Sequence, residues 1–260
     1  MKATIRFIAA HNFLPIINTV ICYRYFSVLT GTPTDYFFAF GAAFCCWAFY
    51  YLDKINDNKD RDFDATERHF FSENDKIIQW CTGVLLLLLA LYNFHTFYIT
   101  EVGLPLIIFI TGIAYLKVAD TPNKIAKELV SSLIITTAIC IIPIQLSGQY
   151  HQAFLIPLFF GMIYCNMLTL GLIDEAYDNQ HEFSSMPLKF GSRVTLILFS
   201  GIALAILLLA FTVNNLFLLQ WTIAFVVIHF ILIALRKKAD INLLHILSDV
   251  CFLIPLLTYL

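Results

Sequence analysis

Apolar residues run along this chain in stretches long enough to cross a bilayer, with polar residues gathered in the gaps. Nine such windows are read, roughly 5–28, 34–54, 76–98, 100–118, 126–146, 151–173, 193–213, 214–235 and 241–260. The sixth is interrupted by Pro157 and Gly161, and only Asn214 and Asn215 part the seventh from the eighth. The pattern predicts an all-α, polytopic membrane protein: a bundle of about nine transmembrane helices forming a single domain over residues 1–260. Composition agrees, because 60% of the residues are hydrophobic and only 13% charged, with a mean hydropathy of +0.79. A soluble domain of this size does not need that much apolar surface.

Charge fixes an expected orientation. If the N-terminus is cytoplasmic, the gaps after the second, fourth, sixth and eighth windows share its side and hold nearly every basic residue. These are Lys2 and Arg6; Lys54, Lys59, Arg61, Arg68 and Lys76; Lys117, Lys124 and Lys127; Lys189 and Arg193; and Arg236, Lys237 and Lys238, with Arg24 as the exception. A count wrong by one helix would scatter them over both faces. Net charge is −2, which gives no indication of a nucleic-acid partner. The seven cysteines lie in apolar runs without a CxxC pair, so they read as small buried hydrophobes and not as a disulfide or zinc framework.

One charged stretch stands out against this background, Asp53 to Arg68, DKINDNKDRDFDATER. On a helix Asn56, Asp60 and Asp64 stack at i, i+4, i+8, about 6 Å apart, and Asp53 and Asp57 share their face. Such a cluster repels itself unless a cation sits within it, and hard oxygen donors suit Mg²⁺ or Ca²⁺. The competing reading is a solvated acidic loop. A second acidic cluster, Asp174, Glu175, Asp178 and Glu182, closes the sixth window, with Asp174 and Asp178 again four apart. Two acidic clusters on one side, four windows apart, suggest a pseudo-repeat around one cytoplasm-facing active-site cavity. Carboxylate pairs facing one another suit Mg²⁺ ions that clamp a diphosphate and neutralise its charge as a C–O bond breaks.

These residues resemble the UbiA superfamily of intramembrane prenyltransferases. Its first motif, NxxxDxxxD and commonly NDxxDRxxD, is similar to Asn56, Asp57, Asp60, Arg61 and Asp64, with Arg68 beyond. Its second, DxxxD followed by a TLPxxxG-like run, is similar to Asp174 and Asp178 followed by SMPLKFG from Ser185 to Gly191. A loop tyrosine with lysines resembles Tyr115, Lys117 and Lys124. The resemblance covers essentially the whole chain. Three positions depart from the pattern: Gly171 where many members have a further aspartate, Glu182 where a glycine is usual, and Leu116 where a serine often follows the tyrosine.

The resemblance implies that Asn56, Asp60 and Asp64 hold one Mg²⁺ and Asp174 and Asp178 another. Arg61, Arg68, Lys117 and Lys124 would bind the diphosphate, with Tyr115 the one ring singled out to face an allylic cation. The implied activity is transfer of a prenyl group from an isoprenoid diphosphate to an aromatic or other lipid-pathway acceptor. A membrane terpene cyclase of similar fold is the alternative within the family. From other classes, a CDP-alcohol phosphotransferase is disfavoured because its DGxxAR segment is missing. A divalent-cation transporter should place its acids near the bilayer midplane without bases among them.

Other polar residues sit within the apolar windows: His11, Asn12, Asn18, His245 and Asp249. Interhelical packing or a cavity role accounts for these. His181, three residues after Asp178, could serve as a base or be solvated. Asp62 points away from the face of Asp60, so Asp62→Asn is expected to leave metal-dependent turnover unchanged where Asp60→Asn abolishes it.

Overall fold

Proline, glycine and capping residues decide where the apolar windows become helices and where those helices change type. The structure is a computed structural model and describes residues 13–58, 73–93, 127–148, 150–180 and 185–259. Among these, all regular structure is helical. Four helical segments are long and apolar enough to cross a membrane: Glu128–Gln145, Tyr150–Gln180, Ser192–Thr212 and Leu216–Leu235. Shorter apolar helices cover Phe13–Leu29, Tyr36–Leu52, Lys76–Tyr92 and Ile241–Leu256. Every expected window thus carries a described helix except the fourth, 100–118, which lies outside the described residues.

The chain forms two compact units, Met1–Asp120 with Thr137–Gln152, and Thr121–Thr136 with Ala153–Leu260. In the first, α1 (Phe13–Leu29) turns back on α2 (Tyr36–Asn58), which packs against α3 (Glu73–Tyr92). The turn is set by Gly31, whose φ of 66° is open to glycine, and by Asp35, which starts α2. Asp35 Oδ1 accepts from the backbone N–H groups of Phe37 and Phe38 at 2.9 and 3.4 Å, satisfying donors that a helix start leaves orphaned. Between α2 and α3 the Trp47 indole lies directly over Gly83, where no side chain could fit, and its Nε1 donates to Gln79 Oε1 at 2.9 Å.

The fifth window is not one regular helix. It runs as α4 (Lys127–Thr136), a π-helical turn (Thr137–Ile141) and α5 (Ile142–Ser147). Pro143, near the start of α5, has no N–H to give the carbonyl four residues back, and a wider turn accommodates that loss. The π turn packs on α1 within the first unit, burying Cys140 and Ile139.

The second unit is built around α6 (Leu155–Gln180), which touches α4, α7 (Met186–Phe190), α8 (Ser192–Thr212), α9 (Leu216–Leu235) and α10 (Ile241–Val250). Pro157 and Gly161 do not break it. Pro157 falls in the first turn, where a missing N–H costs nothing, and Gly161 lets α8 approach until Ile206 occupies the space of a Cβ. On α8 the inward residues Thr195, Phe199, Ala203, Ile206 and Ala210 recur at helical spacing. Ile197, Leu204, Leu208 and Phe211 on the other side are just as apolar yet exposed. A helix with no polar face and one apolar side open is suited to lipid.

Beyond α10 the chain tightens into a 3₁₀ helix, Cys251–Tyr259, with Pro255 inside it. The Trp221 indole of α9 donates to the Cys251 carbonyl at the start of this segment at 2.9 Å, in a buried setting. Phe159 of α6 meets the same indole edge-on at 5.8 Å. Trp221→Phe keeps most of the packing but removes that hydrogen bond. It should lower stability by about 0.5–1.5 kcal/mol, read as a lower melting temperature in detergent.

Candidate active site

The second acidic motif is fully within the described residues. Asp174 and Asp178 lie in the last two turns of α6 on one face, and each residue is only 8% exposed. Their apolar neighbours Leu172 and Ile173 are buried too, so both carboxylates enter the bundle and do not trail into solvent. Two carboxylates a helical turn apart, largely withdrawn from water, require positive charge or donated hydrogen bonds to stay ionised. Asp174 has one such donor: Oδ1 lies 2.8 Å from Nε2 of His245 on α10. Glu175, one position on, serves another purpose, accepting a hydrogen bond from the Ser192 hydroxyl at the start of α8.

The SMPLKFG run folds back along the unit. Ser185 precedes α7, Pro187 sits in its first turn, and Gly191 leaves it with φ 84°, a conformation that favours glycine. Glu128 Oε1 on α4 accepts from the Met186 N–H at 3.0 Å. Gly171 lies beneath Pro187, since a Cβ there would stand 3.3 Å from the proline Cδ. A side chain at 171 would therefore require Pro187 to give by a few tenths of an ångström.

Deeper along α6, two turns before Asp174, Asn166 joins three helices. His229 Nδ1 of α9 lies 2.8 Å from the Phe225 carbonyl, and its Nε2 lies 3.0 Å from Asn166 Oδ1 and 3.3 Å from the Ser248 hydroxyl. Ser248 of α10 donates to Asn166 Oδ1, and Asn166 Nδ2 donates to Asp249 Oδ1 at 3.5 Å. Asn166 pairs with Asp249 and Asp174 with His245, so α6 and α10 run antiparallel with a polar seam between them.

Of the first motif, Asn56 and Asp57 lie in the last turn of α2, with side chains outside the described set, while Asp60, Arg61, Asp64 and Arg68 lie outside the described residues altogether. Tyr115, Leu116, Lys117, Lys124, His181 and Glu182 also lie outside them. Among the described residues no group of three or more His, Cys, Asp and Glu side chains gathers at metal-ligand distance. No protein-family model, curated protein or solved structure matches the chain.

Sequence reading missed Asn166, His229 and Ser248. Four-residue steps back from Asp178 through Asp174 lead to Asn166, the one available signal; His229 gives none beyond being polar in an apolar run. Asn166→Leu leaves His229, Ser248 and Asp249 facing a side chain that cannot hydrogen-bond. It should cost about 1–2 kcal/mol, measured as a fall in thermal midpoint in detergent.

Proposed function

We propose that the protein is a Mg²⁺-dependent intramembrane prenyltransferase of the kind the UbiA resemblance implies. It takes an isoprenoid diphosphate as donor and an aromatic or other hydrophobic molecule as acceptor. The observation that carries this reading is the pair Asp174 and Asp178, two buried carboxylates on one face at the end of a membrane-length helix. An all-oxygen donor pair suits a hard cation that keeps most of its waters and takes the rest of its shell from phosphate oxygens. The motif from Asn56 to Asp64 supplies the same chemistry a second time, in the same four-residue steps.

In this reading Asn56, Asp60 and Asp64 hold one Mg²⁺, and Asp174 and Asp178 the other. Bound Mg²⁺ neutralises charge that grows on the leaving diphosphate. Arg61, Arg68, Lys117 and Lys124 hold the diphosphate oxygens and orient its C–O bond. That bond breaks with its electron pair departing on diphosphate, and Tyr115 presents its ring to the allylic cation. An acceptor carbon or heteroatom then forms the new bond and releases a proton to solvent. By the distribution of basic residues, the N-terminus and both motifs face the cytoplasm, around a cavity shared by two pseudo-repeated halves. Arg61 and Arg68 favour this reading over a cation pathway, because they attract diphosphate and repel a permeating cation.

The test is diphosphate release by purified protein from allylic diphosphates of graded chain length, with and without Mg²⁺ and candidate acceptors. Turnover should require Mg²⁺ and fall by roughly a hundredfold or more in Asp60→Asn and in Asp178→Asn, the scale expected when transition-state charge loses its stabilisation. Robust turnover in both variants, or metal-ion flux without turnover, would overturn the proposal.

A further inference from the structure

His245 is placed with more care than a packing residue needs. The Asp240 carboxylate starts α10 by accepting from the N–H groups of Asn242 and Leu243 at 2.9 and 3.3 Å, which fixes the helix one turn before His245. Leu244 is buried against Ile173 and Leu232, so the residues immediately before His245 and Asp174 are locked together. Ser248 and Asp249 tie the next turn of α10 to Asn166. Held on both sides, the imidazole meets Asp174 at 2.8 Å with both side chains only 12% exposed.

A carboxylate accepts only, so Nε2 carries the proton and donates to Oδ1. That bond restrains the carboxylate from rotating and so fixes the direction its oxygens present to a cation. A ligand held in this way binds metal more tightly than a free one, because its orientation is fixed before the ion arrives. His245 is not itself a suitable ligand here: its Nε2 is turned to Asp174, and Mg²⁺ prefers oxygen.

We propose that His245 is a positioning residue that orients the Asp174 carboxylate for Mg²⁺. The inference rests on the proposal above that Asp174 holds the metal. It goes further in assigning a role to a residue of α10, outside both acidic motifs.

The test uses full-length protein in detergent, Mn²⁺ as a spectroscopic stand-in for Mg²⁺, and inorganic diphosphate as the anion. Free Mn²⁺ is followed by electron paramagnetic resonance in wild type, Asp174→Asn, His245→Leu, His245→Ala and His245→Gln. Wild type should bind Mn²⁺ in a diphosphate-dependent manner and Asp174→Asn should lose this. His245→Leu and His245→Ala should weaken binding by about 10–100-fold, while His245→Gln, whose amide N–H can reach the same oxygen, should stay within about threefold. Metal-free melting temperatures separate this from unfolding, and raised Mg²⁺ should restore turnover in His245→Ala, which structural damage would not allow. Wild-type affinity in His245→Ala or His245→Leu alongside loss in Asp174→Asn overturns the positioning role and leaves the metal reading standing. So would a His245→Gln variant as weak as His245→Ala. No diphosphate-dependent binding in wild type, or none lost in Asp174→Asn, overturns both.

Discussion

A chain surrounded by hydrocarbon must satisfy its backbone polar groups from within, and that requirement shapes nearly every irregularity in this structure. Prolines create deficits, and the chain meets them in more than one way. Pro157 and Pro187 fall in first turns, where the helix needs no donor, and Pro143 goes with a π turn. Helix starts follow the same rule, with Asp35, Asn215 and Asp240 accepting from first-turn N–H groups. Hydroxyls are handled locally too: Ser27, Thr82, Thr136, Thr169 and Thr222 all donate to the carbonyl four residues back. Such bonds allow a polar side chain in an apolar helix without a partner elsewhere.

Larger polar groups cannot be satisfied by their own helix and therefore tie helices together. In the second unit they form a seam between α6 and α10, with Asn166, Ser248 and Asp249 at one level and Asp174 and His245 at another, joined by His229 from α9. Packing alone would allow α10 to slide along α6, because Leu, Ile and Val side chains are interchangeable knobs. Two hydrogen-bonded levels, two turns apart on α6 and one turn apart on α10, fix the register. The seam is therefore structural at its inner level, and at its outer level it sets the direction of a carboxylate in the candidate site.

Apolar windows were legible because they depend on local order alone. The helices over Ser192–Thr212 and Leu216–Leu235 match windows 193–213 and 214–235 closely, since length and hydropathy decide them. The split of 126–146 into three segments was not legible, because a single proline is compatible with a kink, a break or a π turn, and neighbours choose among these. At the site, four-residue spacing put Asp174 and Asp178 on one face of a helix, and the structure adds that both are buried. Spacing could not say that His245, seventy-one residues away, would meet Asp174, because that depends on how α10 docks. His229 was invisible for the same reason.

Glu175 shows how far position outranks residue type. It is as acidic as its neighbour Asp174, yet one step along a helix turns a side chain by about 100°. That step takes Glu175 out of the seam and brings it to the Ser192 hydroxyl at the start of α8. There a carboxylate also benefits from the positive end of the helix dipole. Asp174 stays in the seam, buried beside Ile173 and bonded to His245. Gly171, one turn earlier on the side facing α7, lies close under Pro187, so a side chain there would press on the proline ring. Three positions within five residues thus receive a hydrogen-bonded carboxylate, a helix anchor and a bare backbone. The shape of the surrounding bundle, more than the local sequence, decides which of them keeps a buried carboxylate.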